Sequence, residues 1–92
     1  MKELTAFQRD CLIVINGLGD PSGREILDEL GRYYESDIFG GRLYPSLDKL
    51  VEAGLIEKWS RDGRTNAYNV TDSGKRWLDE RQSWKATLFA AD

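Results

Sequence analysis

Catalytic chemistry has few places to come from in this chain. The sequence holds no histidine and one cysteine, Cys11, so neither a zinc site nor a Cys–His or Ser–His pair can be built within it. Carboxylates alone remain for acid–base work, and nothing in the pattern sets any of them apart. The expectation is therefore no enzyme, no metal and no other cofactor. Cys11 stands among Phe7, Leu12 and Val14 and reads as a buried structural thiol. What the chain does offer is hydrogen-bond donors. Arg42, Tyr44, Ser46 and Lys49 stand close together, and Arg61, Arg64 and Asn66 follow. Guanidinium, ammonium, hydroxyl and carboxamide groups at such spacing suit phosphate oxygens and base edges.

Charge supports that choice only when taken by segment. The whole chain carries −3, which argues mildly against a nucleic-acid partner. Residues 42–71 carry five basic and four acidic side chains and are the only net-positive stretch, whereas residues 21–41 carry two and five. Distribution matters more than the total. No run approaches the roughly 18 apolar residues of a membrane span, and the charged start MKELTAFQRD is no signal peptide. A cytoplasmic location without membrane contact is expected.

The elements that must position these donors are legible in order. Thr5 and Gln8 form a capping-box pattern ahead of Phe7, Cys11, Val14 and Leu18, while Leu12, Ile13 and Ile15 widen the apolar stripe until Gly17 and Gly19 end the helix. So broad a stripe is buried on more than one side. A second capping box, Ser22 to Glu25, opens a helix whose apolar face is Ile26, Leu27, Leu30, Tyr33 and Tyr34. Ser22 and Arg24 stand at its start, where backbone N–H groups favour a phosphate. Residues 36–41 are a brief strand or a connector.

A third helix occupies about Arg42 to Ala53, with Leu43, Leu47, Leu50 and Val51 as its buried face and Pro45 in its first turn. Gly54 stops it. Leu55 to Arg61 and Asn66 to Val70 are β-prone runs around Asp62-Gly63, a hairpin signal. Ile56, Trp59, Tyr68 and Val70 supply its apolar contacts. Thr71 or Asp72 caps a last helix from about Ser73 towards Phe89.

This order specifies an α+β, mainly α fold, a winged helix-turn-helix: three helices, a two-stranded β-hairpin wing and a C-terminal helix. Residues 1–72 form the DNA-binding domain and residues 73–92 a dimerisation helix. The third helix fits a major groove, and the hairpin tip follows phosphates or enters the minor groove. Candidate DNA contacts are Ser22, Arg24, Arg42, Tyr44, Ser46, Lys49, Arg61, Arg64 and Asn66.

The run Gly41-Arg42-Leu43-Tyr44-Pro45-Ser46-Leu47, with Leu50, Glu52 and Gly54-Leu55-Ile56, resembles the G-x-LYP-x-L-x-x-L-x-x-x-GLI pattern of PadR-like transcriptional regulators. Tyr68-Asn69-Val70-Thr71-Asp72-Ser73-Gly74 is similar to that family's segment after the wing. The likeness covers about residues 4–80 and implies a dimeric DNA-binding repressor of the short form, dimerising through its last helix. Nine Asp to seven Glu and eight Arg to five Lys, with a pI near 4.9, resemble haloarchaeal or haloviral composition.

Trp77, Arg81, Trp84, Leu88 and Phe89 are the expected dimer contacts, because the last helix carries more apolar surface than a domain of this size covers. A monomer core is the second reading for Trp77 and Trp84. A pocket for a small-molecule effector at the dimer interface is the third, since some relatives of the resembled family sense phenolic acids or drugs through such aromatics. The alternative to a homodimeric regulator on double-stranded DNA is a protein-interaction winged helix, an antirepressor or transcription adaptor.

Overall fold

The computed structural model describes residues 2–90. Met1, Ala91 and Asp92, the outer ends of the two expected segments, lie outside them. The elements are α1 (Ala6–Leu18), α2 (Gly23–Tyr34), α3 (Gly40–Glu52), β1 (Ile56–Ser60), β2 (Asn66–Val70) and α4 (Asp72–Ala90). None of the described helices is long and apolar enough to cross a membrane.

Both capping boxes form. Thr5 Oγ1 accepts from the Gln8 amide while Gln8 returns a bond to the Thr5 amide, and Ser22 and Glu25 repeat the exchange. Such caps satisfy donors that a helix start leaves orphaned. α2 ends on Glu35 in the left-handed region (φ 55°), whose successor Ser36 donates to the Gly31 carbonyl. The residues after it form no strand. They are a connector anchored by Ile38, which is buried in the core.

The core gathers Cys11, Leu12 and Ile15 from α1, Ile26 and Leu30 from α2, and Leu43, Leu47 and Leu50 from α3. Each fully buried aliphatic side chain contributes about 1.5–3 kcal/mol. Val51, expected on the buried face, is exposed, because a straight stripe of Leu43, Leu47 and Leu50 already fills the contact with so small a body.

The hairpin pairs antiparallel, Ile56 opposite Val70 and Ser60 opposite Asn66. Its first strand stops at Ser60, one residue short of the expected end. Trp59 does not join the core and stays 41% exposed. Pro21 and Ser22 lie along the outer side of β2: Tyr68 donates its amide to the Pro21 carbonyl at 2.9 Å, and Ser22 bridges Ala67. The wing is thereby sewn to the start of α2, a pairing too short to be read from sequence.

Thr71 caps α4. Its hydroxyl accepts from the Gly74 amide (3.1 Å) and donates to the Gly54 carbonyl (2.6 Å), tying the start of α4 to the end of α3. Trp77 belongs to the monomer core. It is 5% exposed, and its indole N–H donates to the Lys2 carbonyl at 2.6 Å. Leu78 packs against the same core. Beyond it the helix runs into solvent, with Trp84, Leu88 and Phe89 exposed.

α3 begins at Gly40, two residues earlier than expected, so Pro45 sits inside the helix and not in its first turn. With no N–H, Pro45 withholds the usual donor from the Gly41 carbonyl. Each helical glycine costs about 1 kcal/mol relative to alanine, and Phe39 makes no side-chain cap.

Candidate nucleic-acid interface

Two elements converge at the first turn of α2, and three contacts hold the junction. The first is the Tyr44 ring from α3. It lies against Gly23 and Gly40, so that a Cβ built at Gly23 would sit 2.5 Å from the phenolic oxygen and one at Gly40 would sit 3.2 Å from the ring. Only glycine at these two places admits the ring so close.

The second is Arg61, at the end of β1. Its guanidinium donates to the Asp20 carbonyl (2.8 Å) and to Glu25 Oε1 (3.2 Å). The same oxygen accepts the Ser22 amide at 2.7 Å. The Ser22 N–H, then Arg61, hold the Glu25 carboxyl below its ordinary value. Arg61, expected as a phosphate contact, is thus first a clamp between wing and helix, although its side chain remains 40% exposed.

The third contact is Ser22 itself. It is buried, its hydroxyl accepts the Glu25 amide, and its own amide donates to Glu25 Oε1, so both groups of this residue are engaged within the α2 cap. Arg24, two residues on, pairs with Asp28 at 3.1 Å, and its side chain is 81% exposed.

Along α3 the expected readers differ in what already engages them. Lys49 is exposed and 3.7 Å from Glu52, a loose solvated pair. Ser46 is half-buried and Tyr44 is 44% exposed. Arg42 turns away from this face. Its guanidinium carbon lies 4.1 Å from the Phe7 ring centroid on α1 and 5.9 Å from that of Tyr34 on α2. A helical wheel gives no sign of these two rings, which come from α1 and α2.

At the wing tip, Gly63 has φ 84°, and Asp62 Oδ1 accepts the amides of Arg64 (3.0 Å) and Thr65 (2.8 Å). Those two N–H groups hold the Asp62 carboxyl below its ordinary value. Asp62 is thereby occupied within the turn. Among the described residues nothing pairs with the Arg64 side chain, and Asn66 is exposed at the start of β2. Sequence reasoning missed Gly23, Glu25 and Phe7. The glycine carries no signal of its own, and the other two act through residues distant in the chain.

On the far side, Arg81 lies between the α4 indoles, 5.9 Å from the Trp77 ring and 5.6 Å from the Trp84 ring. Trp77 is buried while Trp84, Leu88 and Phe89 are open. The expected dimer set therefore divides at this arginine.

The fold and sequence have known counterparts. RosR of Halobacterium salinarum superposes with a TM-score of 0.92 at 42% identity, covering 99% of this chain and 82% of that one. Its complex RosR-S1 gives 0.91 at 43%, covering 97% and 79%. A PadR-like transcription factor from Bacteroides fragilis shares the fold, with a TM-score of 0.74 at 20% identity, covering 89% and 82%. The transcriptional activator GvpE2 of Halobacterium salinarum is 34% identical over 62 residues, 67% of this chain but 32% of that relative. This chain thus spans about a third of its length. Residues 12–80 match the transcriptional regulator PadR-like family, and the chain belongs to that family.

Proposed function

We propose that this regulator acts as a homodimer that reads a pseudo-palindromic site in double-stranded DNA and represses transcription from it. One observation carries the reading. The start of α2, the Tyr44 side of α3 and the wing are locked together by the Tyr44–Gly23 contact and the Arg61–Glu25 pair, so their donors form a single surface. On that surface Arg24, Arg64 and Asn66 meet phosphates, Tyr44 offers its hydroxyl, and Ser46 and Lys49 face base edges. Arg61 reaches a phosphate with the exposed side of a guanidinium already fixed by Glu25. The 73–92 segment supplies the dimer through Arg81, Trp84, Leu88 and Phe89. Exposed apolar side chains on one projecting helix are best covered by the same helix of a second copy.

Titrating the gene's own upstream DNA against unrelated competitor tests specific readout. Preferential binding is expected, with half-sites about one helical turn apart, and equal affinity for both overturns it. Arg64→Ala should weaken binding to all sequences alike and flatten the salt dependence, whereas Ser46 or Lys49 replacements should alter sequence preference. Sedimentation should give twice the 10.5 kDa chain mass.

Activation is the second reading of the sign, favoured by the likeness of this chain to the transcriptional activator GvpE2. A reporter behind the upstream region decides it by rising or falling when the regulator is removed.

A further inference from the structure

The N-terminal turn of α3 is closed by backbone bonds alone, the Arg42 and Leu43 amides donating to the Phe39 carbonyl at 2.9 and 3.1 Å. Gly40 and Gly41 open it, Phe39 makes no side-chain capping bond, and Pro45 stands inside the helix. Pro45 leaves the Gly41 carbonyl without its usual amide donor. By contrast, α1 and α2 both begin with complete capping boxes. Leu43, fully buried, anchors this turn in the core, and the direction of the turn about that anchor depends on what packs against its two flanks. On the α2 side that is Tyr44 against Gly23. On the α1 side it is Arg42.

The surroundings of Arg42 form a connected cluster across three helices. Its guanidinium covers the Phe7 ring of α1 at 4.1 Å. The Phe7 and Tyr34 rings pack with centroids 6.3 Å apart, and the Tyr34 hydroxyl donates to the Asp10 carboxylate, back on α1. Burial, then that hydrogen bond, pushes the Tyr34 phenol up to about 12, so the hydroxyl keeps its proton and remains a donor. Phe7 and Tyr34 are both partly buried against the core, which shields the cation–π contact on one side and strengthens it.

We propose that Arg42 is a positioning residue: stacked on Phe7 and backed by the Tyr34–Asp10 bond, it is the strut that orients the first turn of α3, and it reads no base. This rests on the reading of α3 as the DNA-reading helix. It separates the cation that acts through the protein from those, such as Lys49, that face the DNA.

Three variants test it. Phe7→Leu keeps an apolar side chain but removes the ring face, Arg42→Gln removes the charge, and Arg42→Lys restores a cation. Two measurements are made on each: amide hydrogen exchange over residues 40–44 in the free protein, and affinity for the upstream DNA and its single-base variants. Phe7→Leu and Arg42→Gln should each speed exchange in this turn. Each should also lower affinity for every DNA variant by one common factor, roughly the three- to tenfold that a partly shielded cation–π contact carries. Arg42→Lys should recover most of both, and adding Phe7→Leu to Arg42→Gln should cost nothing further, since both remove one contact.

Unchanged exchange in Arg42→Gln overturns the proposal, and so does a preference lost at one base position in Arg42→Gln while Phe7→Leu binds like wild type. Arg42 is exposed, so its variants should fold even where Phe7→Leu does not. A wild-type protein with no preference for its own upstream DNA sinks the DNA reading instead, and the exchange comparison still decides the strut.

Discussion

Tyr44 of α3 rests on Gly23, the first residue of α2, at a distance that leaves no room for a side chain between them. The two helices of the helix-turn-helix are thus in register through one ring and one absent methyl group. Gly23→Ala should displace the Tyr44 ring, which is 44% exposed and free to swing outward. Alanine also suits a helix better than glycine by about 1 kcal/mol. Thermal stability should therefore change by less than about 1 kcal/mol, while DNA affinity falls several-fold. Loss of stability with affinity intact would contradict this division of roles.

The two α4 tryptophans should behave differently. Trp77 is buried and bonded to the Lys2 carbonyl, so Trp77→Ala should cost about 3–5 kcal/mol of folding stability. Trp77→Phe should cost about 1–2 kcal/mol for the lost hydrogen bond and volume. Trp84 is 57% exposed. Trp84→Ala should leave the fold intact and shift the sedimentation profile towards monomer. Chemical denaturation together with sedimentation separates the two effects.

Acid should loosen the wing before the body. Glu25 and Asp62 are both held below their ordinary values, the first chiefly by the Ser22 amide and the second by the amides of Arg64 and Thr65. A depressed carboxyl stabilises the fold above its unfolded-state value, and the contribution disappears as pH falls through the lower folded value. The Arg61–Glu25 clamp and the Asp62 turn should each release as pH falls beneath the ordinary carboxylate range and through the lowered value of its own carboxyl. Amide shifts of Arg64 and Thr65 report the event, and Glu25→Gln should detach the clamp at neutral pH. Wing signals unmoved to pH 2.5 would contradict it.

Cys11 is fully buried. Burial, then the neighbouring Asp10 charge, raises its thiol to about 12. At pH 8 about one thiol in ten thousand is ionised. Labelling by a disulfide reagent should follow the unfolding rate and stop under strongly stabilising conditions. Rapid labelling of the native protein would show that α1 opens independently.

Much of the fold was legible because its signals are local. The Thr5–Gln8 and Ser22–Glu25 boxes, the Leu43, Leu47 and Leu50 stripe and the Asp62-Gly63 turn each fall within a few residues. What escaped depends on partners distant in sequence. Trp77 finds Lys2 75 residues back along the chain, Arg61 finds Glu25 36 residues back, and Arg42 finds a ring on α1. A helical wheel gives the direction of a side chain from its own axis but not what waits there. The wheel placed Lys49 and Arg42 on one face, yet Lys49 stands in solvent beside Glu52 while Arg42 stacks on Phe7. Val51 shows the opposite limit, an apolar residue at correct spacing on a helix wider than the body beneath it.

α4 has one more consequence. From Gln82 to Ala90 every side chain is exposed, and an unsupported helix of that length is marginal in water. If a second copy provides the support, helix content becomes a function of protein concentration. Diluting the protein through its dissociation constant should then reduce ellipticity at 222 nm while the Trp77 core stays folded. The distal half of the helix would exist as ordered structure only in the pair, so the cell's supply of this chain would set how much of it is folded.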